Sequence, residues 1–289
     1  MKLFKVADLE MGKDLQDGAI FGNYLFRLHA NGHLFVFDVS ALGNSDDVIS
    51  IHPIGDYQIP FTDGVVPHSN TAVFSTEYYD ESDEFPLLYL NVYNNYQKNE
   101  DKHEGECLVY RILREGSAFS LKLVQILKIG FVNEGELWRS APDYTDIRPY
   151  GNFVIDNEKN ELHVFTMRDK DKTTRFFSFS LPSVFEGEMD ENGVRHFILK
   201  KKDILSCFDT EYFHFVQGAC FRRGRIYSTE GFNESIHPQI RVVDIEQQRL
   251  IQTQDLFEIG LPNEAEFIDF KDGVCYYGDA KAQIFRVEF

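Results

Sequence analysis

Short stretches in which apolar and polar residues alternate follow one another along the chain, separated by Gly, Asn and Asp residues. Alternation with a period of about two residues is typical of half-buried β-strands. Apolar residues spaced three and four positions apart, as in an amphipathic helix, are almost absent. The predicted strands fall into five groups: 17–21, 24–29, 33–38 and 48–52; 71–75, 87–93, 107–113 and 121–129; 152–156, 161–168, 174–181 and 195–200; 217–221, 225–230, 239–244 and 248–253; 266–270, 273–278 and 283–288.

The start of each group repeats one pattern, which is clearest in residues 16–26 and 217–227. A polar residue precedes small and apolar residues, a tight turn and a second strand. Repetition at this spacing predicts a repeat architecture, and four-stranded sheets repeated around an axis form a β-propeller. We therefore predict an all-β, five-bladed β-propeller with four-stranded antiparallel blades. Residues 2–6 are expected to supply the strand that the last group lacks and so to close the ring.

The length of the chain is consistent with this count. Five repeats in 289 residues are about 58 residues each, which exceeds the roughly 40–50 of common propeller repeats. Long insertions at 94–106, 131–146 and 182–194 account for the excess. Six blades are the alternative, if 131–146 contains a degenerate repeat. Because no Pro/Gly/Ser-rich linker divides the chain, we predict one domain over residues 1–289.

Composition and charge limit the classes of partner and site that the sequence can be expected to have. The 27 Phe and 14 Tyr residues favour strands. The net charge of −18 disfavours nucleic acid and anionic membrane surfaces as partners. No apolar run approaches the roughly 20 residues of a membrane span. The four cysteines are widely spaced, which argues against a zinc site or a disulfide framework, and we expect Cys220 and Cys275 in the core.

The first residues lack the apolar stretch of a secretory signal, so the sequence predicts a cytoplasmic protein. If a leader has been removed, the prediction becomes a periplasmic or extracellular protein.

Polar residues recur where the first strand of each group begins. In a propeller these strands line the central channel, so their first residues should surround one mouth of it. A polar rim around a concave opening predicts a binding site for a small polar ligand. The alternative is that these side chains only hydrogen-bond neighbouring blades. The predicted ligand-binding residues are Gln16, Asp17, His68, Asn70, Arg148, Asn152, Gln217, Glu264 and Glu266.

Three of these residues are also candidates for catalysis: Asp17, His68 and Glu266. Glycoside hydrolysis needs two carboxyl groups at a defined separation, and Asp17 and Glu266 could act as base and acid, with Asp146 as a third carboxyl. His68 could act as a general base that Asp17 orients. A glycoside hydrolase or lyase is therefore one alternative to a binding protein.

The same acids bear on metal binding. Asp17, Glu264 and Glu266 could hold Ca²⁺ through oxygen ligands, but no Asp-x-Asp-x-Asp-Gly loop is present, so no cofactor is predicted. Trp138 and Arg139 could stack on and pair with a sugar over the mouth, or fill a gap between blades. A further alternative is a non-catalytic scaffold whose loops bind a protein partner.

Three stretches carry a resemblance to known proteins. They are residues 67–72 with 85–89, residues 217–221 with 226–227 and 230–231, and residues 264–268. Together they resemble the uncharacterised β-propeller proteins of Bacteroides-type bacteria. They are more distantly similar to the propellers of teichoic-acid biosynthesis protein C-like and phage receptor-binding proteins. The resemblance implies a five-bladed propeller that handles a polyol phosphate or a cell-surface glycan. The positions that it implicates are His68, Asn70, Gln217, Glu264 and Glu266.

Overall fold

The computed structural model describes residues 1–11, 14–43, 47–61, 67–92, 103, 106–129, 152–168 and 172–289. Within these residues the chain forms β-strands and short 3₁₀ turns but no α-helix. The strands are β1 Lys2–Leu9, β2 Leu15–Phe21, β3 Tyr24–His29, β4 His33–Asp38, β5 Ile49–Ile51, β6 Pro53–Gln58, β7 Ala72–Phe74, β8 Leu88–Asn91, β9 Glu106–Glu115, β10 Ala118–Ile129, β11 Asn152–Asp156, β12 Glu161–Arg168, β13 Thr173–Ser180, β14 Glu188–Met189, β15 Arg195–Leu199, β16 Ser206–Glu211, β17 Val216–Arg222, β18 Arg225–Glu230, β19 Gln239–Asp244, β20 Arg249–Asp255, β21 Ala265–Lys271, β22 Val274–Asp279 and β23 Gln283–Glu288.

The strands form five sheets arranged as a five-bladed β-propeller, which confirms the predicted fold class. The innermost strands of blades one to five are β2, β7, β11, β17 and β21, and each lies against the next around the axis. From each inner strand the chain continues outward through antiparallel hairpins. The inner strands therefore all begin at one end of the channel and finish at the other.

The N-terminal strand closes the ring as predicted. Strand β1 pairs antiparallel with β23, from Lys2 opposite Glu288 to Asp8 opposite Gln283. This pairing covers the edge of the last blade, which would otherwise be open to pairing with another chain.

Two predicted fourth strands are wrong. Residues 48–52 and 195–200 were expected to complete blades one and three, but each contributes a strand to the preceding blade. Strand β5 pairs parallel with β1 of blade five, and β15 pairs parallel with β10 of blade two. Blades one and three are completed by β6 and β16. These outer strands alternate largely between partly buried and exposed residues, so their apolar signal is weak.

The core lies mainly between adjacent blades. Aromatic rings meet edge to face there, as Phe26 does with Phe85 and Phe119 at centroid distances of 5.5 and 6.1 Å. Cys220 and Cys275 are buried in the cluster between blades four and five, which confirms their predicted place in the core.

Tight turns follow two of the inner strands. Asp272 and Gly273 both have positive φ, 51° and 86°, and so do Arg223 and Gly224, at 49° and 75°. Two consecutive residues with positive φ give the turn whose twist matches that of a two-stranded hairpin. These turns place the last residues of β17 and β21 at one end of the channel.

Candidate functional site at the start of the inner strands

The inner strands of blades one, four and five share one irregularity. Their pairing with the next strand shifts between Leu15 and Gly18, between Val216 and Gly218, and between Ala265 and Phe267. A β-bulge leaves the extra residue outside the regular ladder and changes the direction of its side chain. The residues in these bulges are Gln16, Asp17, Gln217 and Glu266. All four are among the predicted ligand-binding residues. We call this end of the channel the start mouth.

Side chains from four blades, one, two, four and five, meet at the start mouth. The Nε2 of His68 lies 2.8 Å from Oε1 of Gln16. The Gln16 amide in turn donates to Oε1 of Glu266 across 3.5 Å. Beside them the Gln217 amide donates to Oε1 of Glu264 across 2.5 Å. The structure thus brings together five of the residues that the repeat pattern selected.

Asn70 lies close to the same network but bonds mostly to the backbone. Its amide donates to the carbonyl of Val216 across 2.5 Å and its side-chain oxygen accepts from Asn91 across 2.6 Å. Asn91 also accepts from the backbone N–H groups of Asn70 and Thr71. This pair of asparagines ties blade two to blade four. Asn91 was not predicted from the sequence.

The remaining predicted residues are placed as follows. Asn152 begins β11 and is fully buried, and its side-chain amide has no hydrogen-bond partner among the described residues. Arg148 lies outside the described residues, as do Asp146, Trp138 and Arg139.

Asp17 lies at the centre of the inner strands. Its side chain is fully buried, and Oδ2 accepts from the backbone N–H groups of Ala72 at 3.0 Å and Ala219 at 3.3 Å. One carboxylate therefore joins blade one to blades two and four. Glycine is required beside it, because a Cβ on Gly218 would lie 2.8 Å from Oδ1 of Asp17 and 2.5 Å from the carbonyl of Glu266.

A buried arginine that the sequence analysis missed completes the centre. Arg27 in β3 donates from Nε to the carbonyl of Gln16 across 2.9 Å, and its guanidinium lies 4.9 Å from the ring of Phe267. Burial lowers the pKa of Arg27 to about 10, and the carboxyls of Asp17 and Glu266 oppose that shift. The signal was present, since Arg27 is the one charged residue between apolar neighbours in this strand.

Burial dominates the electrostatics of the mouth. It raises the pKa of Glu266, and the neighbouring Glu264 carboxyl raises it further. Burial also raises the pKa of Glu264, against a hydrogen bond from Gln217. The pKa of His68 is lowered by burial, which favours the neutral imidazole. The mouth thus presents amides, a neutral imidazole and carboxyl groups that hold their protons to higher pH than usual.

In the described part of the chain, no group of three or more His, Cys, Asp or Glu side chains has an arrangement that could hold a metal ion. Nor do the described ranges contain a helix whose length and apolar character would let it cross a bilayer.

Comparisons with known proteins find distantly similar structures but no family to which the chain can be assigned. No protein-family model matches the chain. No curated protein matches it in sequence. Among solved structures, the chain is similar to Myxococcus xanthus glutaminyl cyclase, with 10% identity, a TM-score of 0.49, and coverage of 100% of this chain and 94% of that one. It is also similar to the computationally designed protein Ika8, with 11% identity, a TM-score of 0.39, and coverage of 99% and 100%. Similarities this distant carry no argument about activity, and the predicted family resemblance stays a prediction.

Proposed function

We propose that the protein binds a small polar ligand of carbohydrate or polyol type at the start mouth. One observation carries the proposal. His68, Gln217 and Glu264 come from three different blades and remain partly accessible, whereas Gln16 and Glu266 are buried behind them. Polar side chains that are held by a buried polar layer form a preformed site.

The chemistry of these groups suits hydroxyl ligands. A sugar hydroxyl both donates and accepts, and amides, carboxyls and a neutral imidazole offer both functions to it. Glu266 also keeps one carboxyl oxygen, Oε2, without a partner among the described residues. The net charge of −18 disfavours an anionic ligand. An uncharged sugar or polyol therefore fits better than a polyol phosphate.

An exposed aromatic residue precedes β17 and supports the same ligand class. Phe215 is 45% exposed and has a φ of 51°, which is unusual for a bulky side chain. Its ring packs edge to face against Phe232, with centroids 5.4 Å apart. Backbone conformations of this kind cluster at ligand sites. An accessible aromatic ring close to amides is a common platform for the apolar face of a sugar.

The burial of the acids favours binding over catalysis. Asp17 and Glu266 are at most 1% exposed, and Asp17 already accepts two backbone hydrogen bonds. A catalytic carboxyl must reach the atoms that react. The glycoside hydrolase or lyase that would use Asp17, His68 and Glu266 therefore remains the second candidate, and the protein-binding scaffold remains the third.

A thermal-shift screen against neutral sugars, polyols, sugar phosphates and Ca²⁺ tests the proposal. A neutral sugar or polyol at a hundredfold excess over its Kd should stabilise the protein by about 2.7 kcal/mol. His68→Ala and Gln217→Ala should keep nearly the wild-type Tm without ligand but lose the ligand-dependent shift. His52→Ala is the matched control, because His52 is exposed and lies between the outer strands β5 and β6 rather than on an inner strand.

Other outcomes would favour the alternatives. If no compound in the screen shifts the Tm, the scaffold is favoured, and changes around Trp138 should then weaken binding to a protein partner. If a glycoside is cleaved, and Asp17→Asn or Glu266→Gln abolishes turnover while folding stays intact, the protein is an enzyme.

A further inference from the structure

A cavity lies at the end of the channel opposite the start mouth, where the inner strands finish. We call this end the turn mouth. The cavity has a volume of about 220 Å³. Sites for drug-sized molecules measure roughly 300–1,000 Å³, so a ligand here would be small. All five inner strands contribute to it, and its lining includes Ile20, Phe74, Ile155, Cys220 and Asp269.

Three aromatic rings form part of the cavity wall. Phe21, Phe74 and Phe221 line it from blades one, two and four, and each is partly accessible. The rings of Phe21 and Phe74 are 5.5 Å apart and tilted by 49°. Aromatic faces attract cations as well as apolar groups, because the ring quadrupole is negative above the plane.

One carboxylate, that of Asp269, lines the cavity together with these rings. In the paired strands Asp269 occupies the position that Ala19 and Cys220 occupy in blades one and four, opposite Tyr276, Phe26 and Tyr227 respectively. The repeat therefore does not require an acid there. The inner strands of blades one and four have a small residue, Ala19 and Cys220, at the same position.

The hydrogen-bond partners of Asp269 are backbone N–H groups and include no ion pair among the described residues. Its oxygens accept from the backbone N–H groups of Ile20 and Phe270, both at 2.7 Å. No side-chain cation pairs with it in the part of the chain that the structure describes. The positive charge of Arg222 acts on Asp269, but its guanidinium lies over the ring of Phe270, 4.9 Å from the centroid.

We propose that the turn mouth binds a small organic cation, a primary ammonium group carried on an aromatic or aliphatic body. The ammonium would pair with Asp269, and the body would pack between Phe21, Phe74 and Phe221. A charge-assisted hydrogen bond in a partly desolvated pocket is stronger than one in water. This site is separate from the start mouth and does not depend on the function proposed for it.

Asp269 carries its charge at neutral pH. Burial raises its pKa to about 6, and the two backbone N–H groups and Arg222 oppose the shift. The other titratable groups close to it are the thiols of Cys220 and Cys275, whose pKa values burial raises, so both stay neutral. At pH 7.5 the carboxylate is therefore largely ionised and available to a cation.

The experiment is a titration of the full chain with 2-phenylethylamine at pH 7.5, followed by NMR and by thermal shift. Two compounds of similar shape accompany it, neutral 2-phenylethanol and anionic 3-phenylpropanoate. We expect binding of the amine, with affinity about tenfold or more above that of the alcohol, and no binding of the anion. Asp269→Asn should abolish the preference for the amine.

The matched control is Asp272→Asn. Asp272 is 84% exposed in the turn that follows β21, and asparagine tolerates its positive φ. It removes the same charge three residues away and should leave amine binding unchanged. If Asp269→Asn fails to fold, Thr76→Trp is used instead. Thr76 is an exposed residue that lines the cavity, and the indole ring of tryptophan should block it. The proposal is overturned if the alcohol binds as well as the amine, if the amine does not bind, or if amine binding survives Asp269→Asn or Thr76→Trp.

Discussion

The start mouth and the turn mouth are formed by the same five inner strands but differ in chemistry. At the start mouth three strands carry β-bulges, and the released side chains are amides and acids that bond across blades. Towards the turn mouth the pairing in these strands is regular up to the turn, and the lining is mostly apolar and aromatic. On a propeller axis, polar chemistry thus accompanies interruptions of the strand ladder. Uninterrupted pairing leaves small and apolar residues against the axis.

The two mouths also differ in how an acid joins neighbouring blades. Asp17 accepts from the backbone of two other blades and lies close to Arg27. Asp269 accepts from one other blade, through Ile20, and has no ion pair within the described ranges. We therefore expect the start mouth to depend more on its acid than the turn mouth does.

Asp17→Ala should have the largest effect on stability. The change leaves the N–H groups of Ala72 and Ala219 without partners and removes a carboxyl whose charge acts on Arg27. Each buried N–H group left without a partner costs about 1–3 kcal/mol, so the loss of two should cost about twice as much as the loss of one. Urea unfolding measures the loss, and Glu81→Ala, at an exposed position, is the control. A loss as small as that of the control would show that Asp17 does not brace the blades.

Asp269→Ala should cost less. It leaves one inter-blade N–H group, that of Ile20, without its partner, which costs about 1–3 kcal/mol. Urea unfolding again measures the loss. Asp272→Ala is not a suitable control, because the positive φ of Asp272 is unfavourable for alanine. If Asp269→Ala destabilises the fold as much as Asp17→Ala, the proposed contrast between the two mouths is wrong.

The smallest effect concerns pH and Glu230, which pairs with Arg241 at 2.6 Å and accepts from the N–H of His214 at the start mouth. Burial raises the pKa of Glu230 to about 7 from 4.5. A carboxyl whose pKa is higher in the folded state than in the unfolded state adds stability at a pH below the unfolded-state pKa. That contribution disappears as the pH rises through about 7. Between pH 5 and 7.5, stability should therefore fall more in wild type than in Glu230→Gln, by on the order of 1 kcal/mol.

The quantity to compare is the difference in the free energy of unfolding between wild type and Glu230→Gln at each pH. His163 has its pKa lowered to about 4 by burial, so its contribution to stability is present above about 6.5 and is lost as the pH falls. This contribution is common to wild type and variant, and it cancels in the difference. Equal pH profiles for the two proteins would contradict the assignment to Glu230.

Much of the start mouth was predictable because its signals are local. A polar residue directly before glycine recurs at Asp17 and Gln217. The repeat alignment alone predicted that the starts of these strands lie at one mouth. Arg27 and Asn91 were missed, since each lies near the apolar core of a second strand and acquires its role from another part of the chain. Asp269 was missed for a related reason. The repeated polar signal lies at the first residues of the inner strands, whereas this acid lies near the end of its strand.

The sequence by itself determined the all-β class, the five repeats, the closing strand at the N-terminus and the polar starts of the inner strands. These follow from period-two patterning and turn residues, which act within a few positions. Only the tertiary structure decided that β5 and β15 join the preceding blades, that Asp17 joins three blades, and that Asp269 lines one cavity with three phenylalanines. Those outcomes depend on which edges and side chains the closed ring brings within bonding distance, and short-range patterns do not encode such distances.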